Sequence, residues 1–257
     1  MKSVLITGAG RRIGAHLARH LGAKGWHVFV HYNRARAEAE DVAAEIRAQG
    51  GSASTLGADL ADEQAASRLI AACEAVGPLT LLINNASLFL YDSAATTSFA
   101  AMEANMRVNL YAPVMLAQAF YTALKARGAE GVVINLVDNK VFALNPDYFS
   151  YTLSKVALQG MIQMLAMACA PTLRIAGIAP GITLISGAQS QAEFERTHNN
   201  NPLGRGCTPE QIAGAVDFIL ASPSYHGQTL VIDGGQVLQR RPRDIAFLAR
   251  DAANADI

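Results

Sequence analysis

Tyr151 and Lys155 stand four residues apart in a stretch of helical periodicity, which puts both side chains on one face within about one turn. A phenol with its usual pKa of about 10 is a poor proton donor at neutral pH. A neighbouring ammonium stabilises the phenolate, so Lys155 is expected to draw the Tyr151 pKa down and make the ring a working acid. Asp138 closes the apolar run Ile134-Asn135-Leu136-Val137. A carboxylate accepts hydrogen bonds but donates none unless protonated, so at a catalytic site it suits a substrate bearing N–H and amino groups better than a simple ketone. Two plainer readings stand beside these: a buried ring with a lysine snorkelling to solvent, and an aspartate that caps a turn.

A second set of residues could hold a phosphorylated cofactor. Thr7-Gly8-Ala9-Gly10-Arg11-Arg12-Ile13-Gly14 follows the first apolar run and leads into a helix, so Gly8 and Gly14 let the backbone approach a pyrophosphate at the helix N-terminus. A tight turn that binds nothing would use the same glycines. His31-Tyr32-Asn33-Arg34 ends the second run, where a dinucleotide-binding sheet meets the adenosine ribose. An NAD site would offer a carboxylate there; His31 and Arg34 instead offer cationic donors, which favours the 2′-phosphate of NADPH. Asp59, followed by Leu60, stands where it could accept from an adenine amino group or cap the next helix.

The elements needed to position these groups are legible in the order of short β-branched runs and longer helical patterns, which is that of a doubly wound α/β domain with a seven-stranded parallel sheet. Strands are expected over Ser3 to Thr7, His27 to His31, Ser52 to Ala58, Thr80 to Asn84, Gly131 to Val137, Leu173 to Ile178 and Thr229 to Ile232. Helices are expected over Arg12 to Lys24, Ala35 to Gln49, Asp62 to Ala75, Phe99 to Arg127, Tyr148 to Ala170 and Pro209 to Ala221. Residues 183–203 have weak periodicity and are expected to form a lid over the substrate. The Arg- and Ala-rich tail, 239–257, looks loosely attached and is expected to be ordered by a neighbouring subunit.

The 257 residues suffice for one large core, and one domain is expected. Lys plus Arg and Asp plus Glu number 21 each, so no net charge points to nucleic acid or an anionic membrane. The most apolar stretch, 156–170, is broken by Gln159 and Gln163 and ended by Pro171, too early for a membrane span. Cys73, Cys169 and Cys207 have no metal-ligand spacing, and with no export signal in the opening residues a reduced, cytoplasmic setting without metal is expected. Apolar helices around residues 102–124 and 156–170 exceed what one sheet face covers, which predicts a homodimer or homotetramer.

Taken together these motifs resemble those of the short-chain dehydrogenase/reductase family from end to end: Thr7-Gly8 through Gly14, Asp59, Asn84-Asn85-Ala86, Asn109, Tyr151 with Lys155, Pro180-Gly181 and Asp233-Gly234-Gly235, in order. The resemblance implies that Tyr151 is the proton donor in hydride transfer, Lys155 holds the nicotinamide ribose, and Asn109 anchors a relay water. It also implies cofactor contacts from Asn85, Ala86, Ser87, Pro180 and Gly181. Where the family usually has serine, this chain has Asp138. That departure resembles the pteridine reductase branch, as do Arg12, the segment 31–34, Pro180-Gly181-Ile182, and Ser87 and Phe89, which in the branch contact and stack on a pterin. A flat pterin between nicotinamide and Phe89, gripped by Asp138 and Tyr151 with Arg12 nearby, is therefore expected, although Phe89 would serve equally as a core ring. Reduction of another carbonyl or imine, or cofactor sensing without chemistry, are the alternatives.

Overall fold

The computed structural model describes residues 2–186 and 189–247; residues 187–188 of the expected lid and 248–257 of the expected tail lie outside them. Seven parallel strands form one sheet: β1 Ser3–Ile6, β2 His27–Tyr32, β3 Ser52–Gly57, β4 Leu81–Asn84, β5 Gly131–Leu136, β6 Leu173–Pro180 and β7 Thr229–Ile232, in the order β3-β2-β1-β4-β5-β6-β7. Alternation of side chains sends Val4 and Ile6 of β1 into one core layer and Leu5 into the other, all fully buried. The first layer lies under α1 Arg12–Ala23, α2 Arg36–Ala48 and α8 Pro209–Ala221; the second lies under α3 Ala65–Val76, α5 Ala112–Ala126 and α6 Phe149–Cys169. Burial on both faces is why inner strands such as β1 and β4 read as continuous apolar runs.

Helix α1 shows how pattern becomes packing: Ala15, Leu17, Ala18 and Leu21 repeat at helical spacing and all are buried. The periodicity predicts one helix over Phe99 to Arg127; the chain is helical from Phe99 to Ala126 but as α4 Phe99–Met106, a π-helical turn Arg107–Tyr111 carrying Asn109, and then α5. A π turn inserts one residue into the helical register and rotates the face of the downstream helix, a change invisible to a 3.6-residue pattern. Within 183–203 the chain also forms α7 Gln191–His198, begun by a reciprocal cap between Ser190 and Glu193. The Ser-x-x-Glu signal for it is present in the sequence. Chain order reverses between β1 and β4, the place where such sheets open a crevice beyond their carboxyl ends.

Candidate active site

That crevice is a cavity of about 890 Å³. Its floor on the β1 side is the glycine turn. Gly8 adopts φ +64°, and a side chain there would press on the Ala86 backbone at 3.1 Å. Thr7 Oγ accepts from the amides of Asn85 and Ala86, each at 3.0 Å, while the Asn85 side-chain amide donates to the carbonyl of Thr7 at 2.8 Å. These bonds staple the ends of β1 and β4, and a Cβ on Gly14 would collide with Gly8 O and the Asn85 side chain. Arg11 precedes α1 without a side-chain cap, so the first-turn amides keep their capacity for an anion. Gly8, Arg11, Arg12, Ile13 and Gly14 all line the cavity, as do Asn33, Asp59, Leu60, Asn85, Ala86, Ser87, Pro180 and Gly181. Tight glycine packing, open amides and the cavity's reach from β2 to α6 fit an extended dinucleotide.

At the end of β2 the structure corrects the expectation of a cationic pair. His31 is 1% exposed; its Nδ1 accepts from the Gly8 amide at 3.0 Å and its Nε2 meets the Ala58 carbonyl at 3.1 Å. That arrangement requires neutral imidazole with the proton on Nε2. Burial lowers its pKa to about 4, so His31 is a strut beneath the glycine turn and not a cation for a phosphate. Tyr32 and Arg34 stand outside the cavity lining, whereas Arg11 lies in it, ion-paired to Glu38. Asp59 accepts from the Ala61 amide at 3.0 Å and from Asn33 at 3.4 Å.

The three groups expected to do chemistry do come together. Tyr151 Oη donates to Asp138 Oδ2 at 2.7 Å, and Lys155 Nζ donates to the Leu136 carbonyl at 2.8 Å while lying 5.7 Å from the Tyr151 ring centre. The expectation that Lys155 lowers the Tyr151 pKa does not hold. Burial, followed by the Asp138 charge and hydrogen bond, drives the phenol well above its ordinary value. Burial also raises Asp138, and it lowers Lys155 to about 8 against the pull of Asp138. The proton therefore rests on Tyr151, whose hydroxyl is directed at Asp138. Asn109 is buried behind the cavity wall: its Oδ1 accepts from the Leu88 amide at 2.8 Å, and its Nδ2 donates to Leu88 O and to Ser154 Oγ, each at 2.9 Å. Its side chain thus holds the Ser87–Leu88 wall against α6.

Sequence reasoning missed a second group of residues. Tyr148, in a left-handed conformation immediately before α6, stacks on Phe89 with ring centres 4.3 Å apart, and Tyr151 meets Phe89 edge-on at 4.6 Å. Phe89 therefore has at most one face left for a flat ligand. Residues of the tail close this end from within the same chain. Buried Asp147 accepts from Arg243 at 2.9 Å and from the Asp244 amide at 2.7 Å; Lys140 donates to Asp147 O at 2.6 Å and to Asp244 at 3.1 Å. Phe247 then packs against Tyr91 at 5.1 Å. No local pattern links residues 140–148 to 243–247, so only the adjacent Asp147-Tyr148 pair before α6 could have drawn attention. Arg12, at φ +55°, reaches across to donate to the carbonyls of Leu184 and Ile185.

Comparison with known proteins gives this geometry a context. A family model described as short chain dehydrogenase matches residues 2–196. Among solved structures, FolM Alternative dihydrofolate reductase 1 from Brucella suis, in complex with NADP, shares 38% identity at a TM-score of 0.89, over 93% of this chain and 96% of that one. L-rhamnose 1-dehydrogenase (NAD(P)(+)) of Azotobacter vinelandii is 30% identical over 91% of this chain and 96% of its own. Pteridine reductase 1 of Leishmania tarentolae is 28% identical over 92% and 96%. Relatives of similar distance are therefore named for a sugar and for pteridines.

Proposed function

We propose that this chain, which belongs to the short-chain dehydrogenase family, is an NADPH-dependent reductase of a pterin or dihydropterin ring of the dihydrofolate kind. The observation that carries this reading is the 2.7 Å bond from Tyr151 Oη to Asp138 Oδ2 in the cavity. Reducing a plain ketone calls for donors around the developing oxyanion. Here one of the two groups is an acceptor, so the fitting substrate presents N–H groups to Asp138 and takes a proton from Tyr151. NADPH, when bound, supplies the hydride. Gly8, Arg11, Ile13, Gly14, Asn33, Asp59, Leu60, Asn85, Ala86, Pro180 and Gly181 would hold it along the cavity, with Lys155 at the nicotinamide ribose and Arg11 as the lining cation toward the 2′-phosphate.

The free face of Phe89 would stack on the substrate ring, a contact worth about 0.5–1.5 kcal/mol beyond burial. Ser87 and Arg12 would border it, and residues 183–186 with α7 would cover it as the lid. The NADP-bound FolM structure and the pteridine reductase likeness support the assignment. The similarity to L-rhamnose 1-dehydrogenase favours a second reading, oxidation or reduction of a sugar, whose hydroxyls could also donate to Asp138. NADPH oxidation with dihydrobiopterin and dihydrofolate, set against ketones and sugars, separates the two. Turnover of the pterins, abolished in Asp138→Ala, is expected; turnover of sugars alone would overturn the assignment. Exposed Met164 and Met167 on α6 support self-association as a homodimer or homotetramer.

A further inference from the structure

The cavity lining carries two arginines, Arg12 and Arg241, that form no ion pair with a described carboxylate. Among the described residues, Arg12 donates only to main-chain carbonyls, those of Leu184 and Ile185. Arg241 donates to Asn200 O at 3.3 Å, to Asn200 Oδ1 at 2.8 Å and to Gln239 Oε1 at 2.5 Å. By contrast Arg11 and Arg243, which line the same cavity, are paired with Glu38 and Asp147. The carboxylate on the lid side of the cavity, Glu193, is engaged at the start of α7, accepting from Ser190 N at 2.8 Å and Ser190 Oγ at 3.0 Å.

Carbonyl oxygens orient a guanidinium without neutralising it. All three Arg241 bonds fall on Nη2, so Nε and Nη1 keep their protons among the described contacts. A guanidinium left with an unspent edge matches a planar carboxylate through two parallel hydrogen bonds. Arg12 also borders the glycine turn, where phosphates would compete for it, which leaves Arg241 as the arginine committed to the substrate side. We propose that Arg241, assisted by Arg12, forms a subsite for a carboxylate on the substituent of the substrate ring. Reduced pterins with an anionic, glutamate-like tail are then favoured over those with a neutral hydroxyalkyl tail. This rests on the pterin reading above.

The test is the ratio of kcat/KM for dihydrofolate to that for dihydrobiopterin, measured at saturating NADPH in the wild type, Arg241→Gln and Arg241→Lys. Losing a charge-assisted bond should lower that ratio about tenfold or more in Arg241→Gln, mainly through the KM of dihydrofolate, with partial recovery in Arg241→Lys. Added salt should lower the wild-type ratio and leave that of Arg241→Gln nearly flat. An equal fall for both substrates, or an unchanged ratio, overturns the tail subsite while leaving the pterin assignment standing. No turnover of either pterin by the wild type overturns both.

Discussion

Replacing His31 by asparagine should flatten part of the acid dependence of folding stability. In the fold the imidazole is neutral, because its Nδ1 accepts from Gly8 and burial lowers its pKa to about 4. Unfolded, the same ring titrates at about 6.5. Between those values the unfolded chain binds a proton that the folded chain refuses, so stability falls as pH drops from 6.5 toward 4 and the loss levels off below that. At about 1.4 kcal/mol per pH unit, the separation amounts to about 3 kcal/mol. Asparagine can keep an acceptor near the Gly8 amide but cannot titrate, and it gives up the contact with Ala58. Denaturant unfolding at pH 7 and pH 4 gives the comparison. The wild type should lose about 3 kcal/mol more than the variant over this interval, since carboxylate contributions common to both cancel. Identical slopes would refute a neutral strut and return His31 to the role of a titrating cation.

Lys155, lowered to about 8 by burial, should lose its charge as pH rises through that value, and kcat/KM in the unliganded enzyme should decline on the alkaline side near pH 8; a profile flat to pH 10 would contradict this. Arg12→Gly removes a left-handed strain of about 1 kcal/mol and also the bonds to Leu184 and Ile185. Thermal stability should therefore hold or rise while the substrate KM climbs several-fold, as steady-state kinetics would register. Asp147→Ala removes the acceptor of the Asp244 amide and the bond from Arg243, and should cost about 1–3 kcal/mol in denaturant melts, with a higher substrate KM and an unchanged NADPH KM.

Much of the molecule is legible in local pattern alone. Runs buried on both faces mark the five inner strands within a few residues, while the edge strands β3 and β7, only partly buried, are legible from their place in the alternation of strands and helices. Tyr151 and Lys155 are legible because four residues on a helix make one face, and Asp138 because it closely follows a strand that leads into the cavity. What the residues' spacing could not reveal is how burial and neighbours set their chemistry. His31 looks cationic in sequence and is neutral in the fold; spacing makes Lys155 the partner of Tyr151, yet Asp138 touches it. The clamp between Lys140, Asp147, Arg243 and Asp244, the stacking of Tyr148 on Phe89, and the reach of Arg12 to Leu184 each join segments far apart in the chain. Hydrogen-bond partners and desolvation depend on distances through space, and those are decided only when the sheet brings its carboxyl ends together.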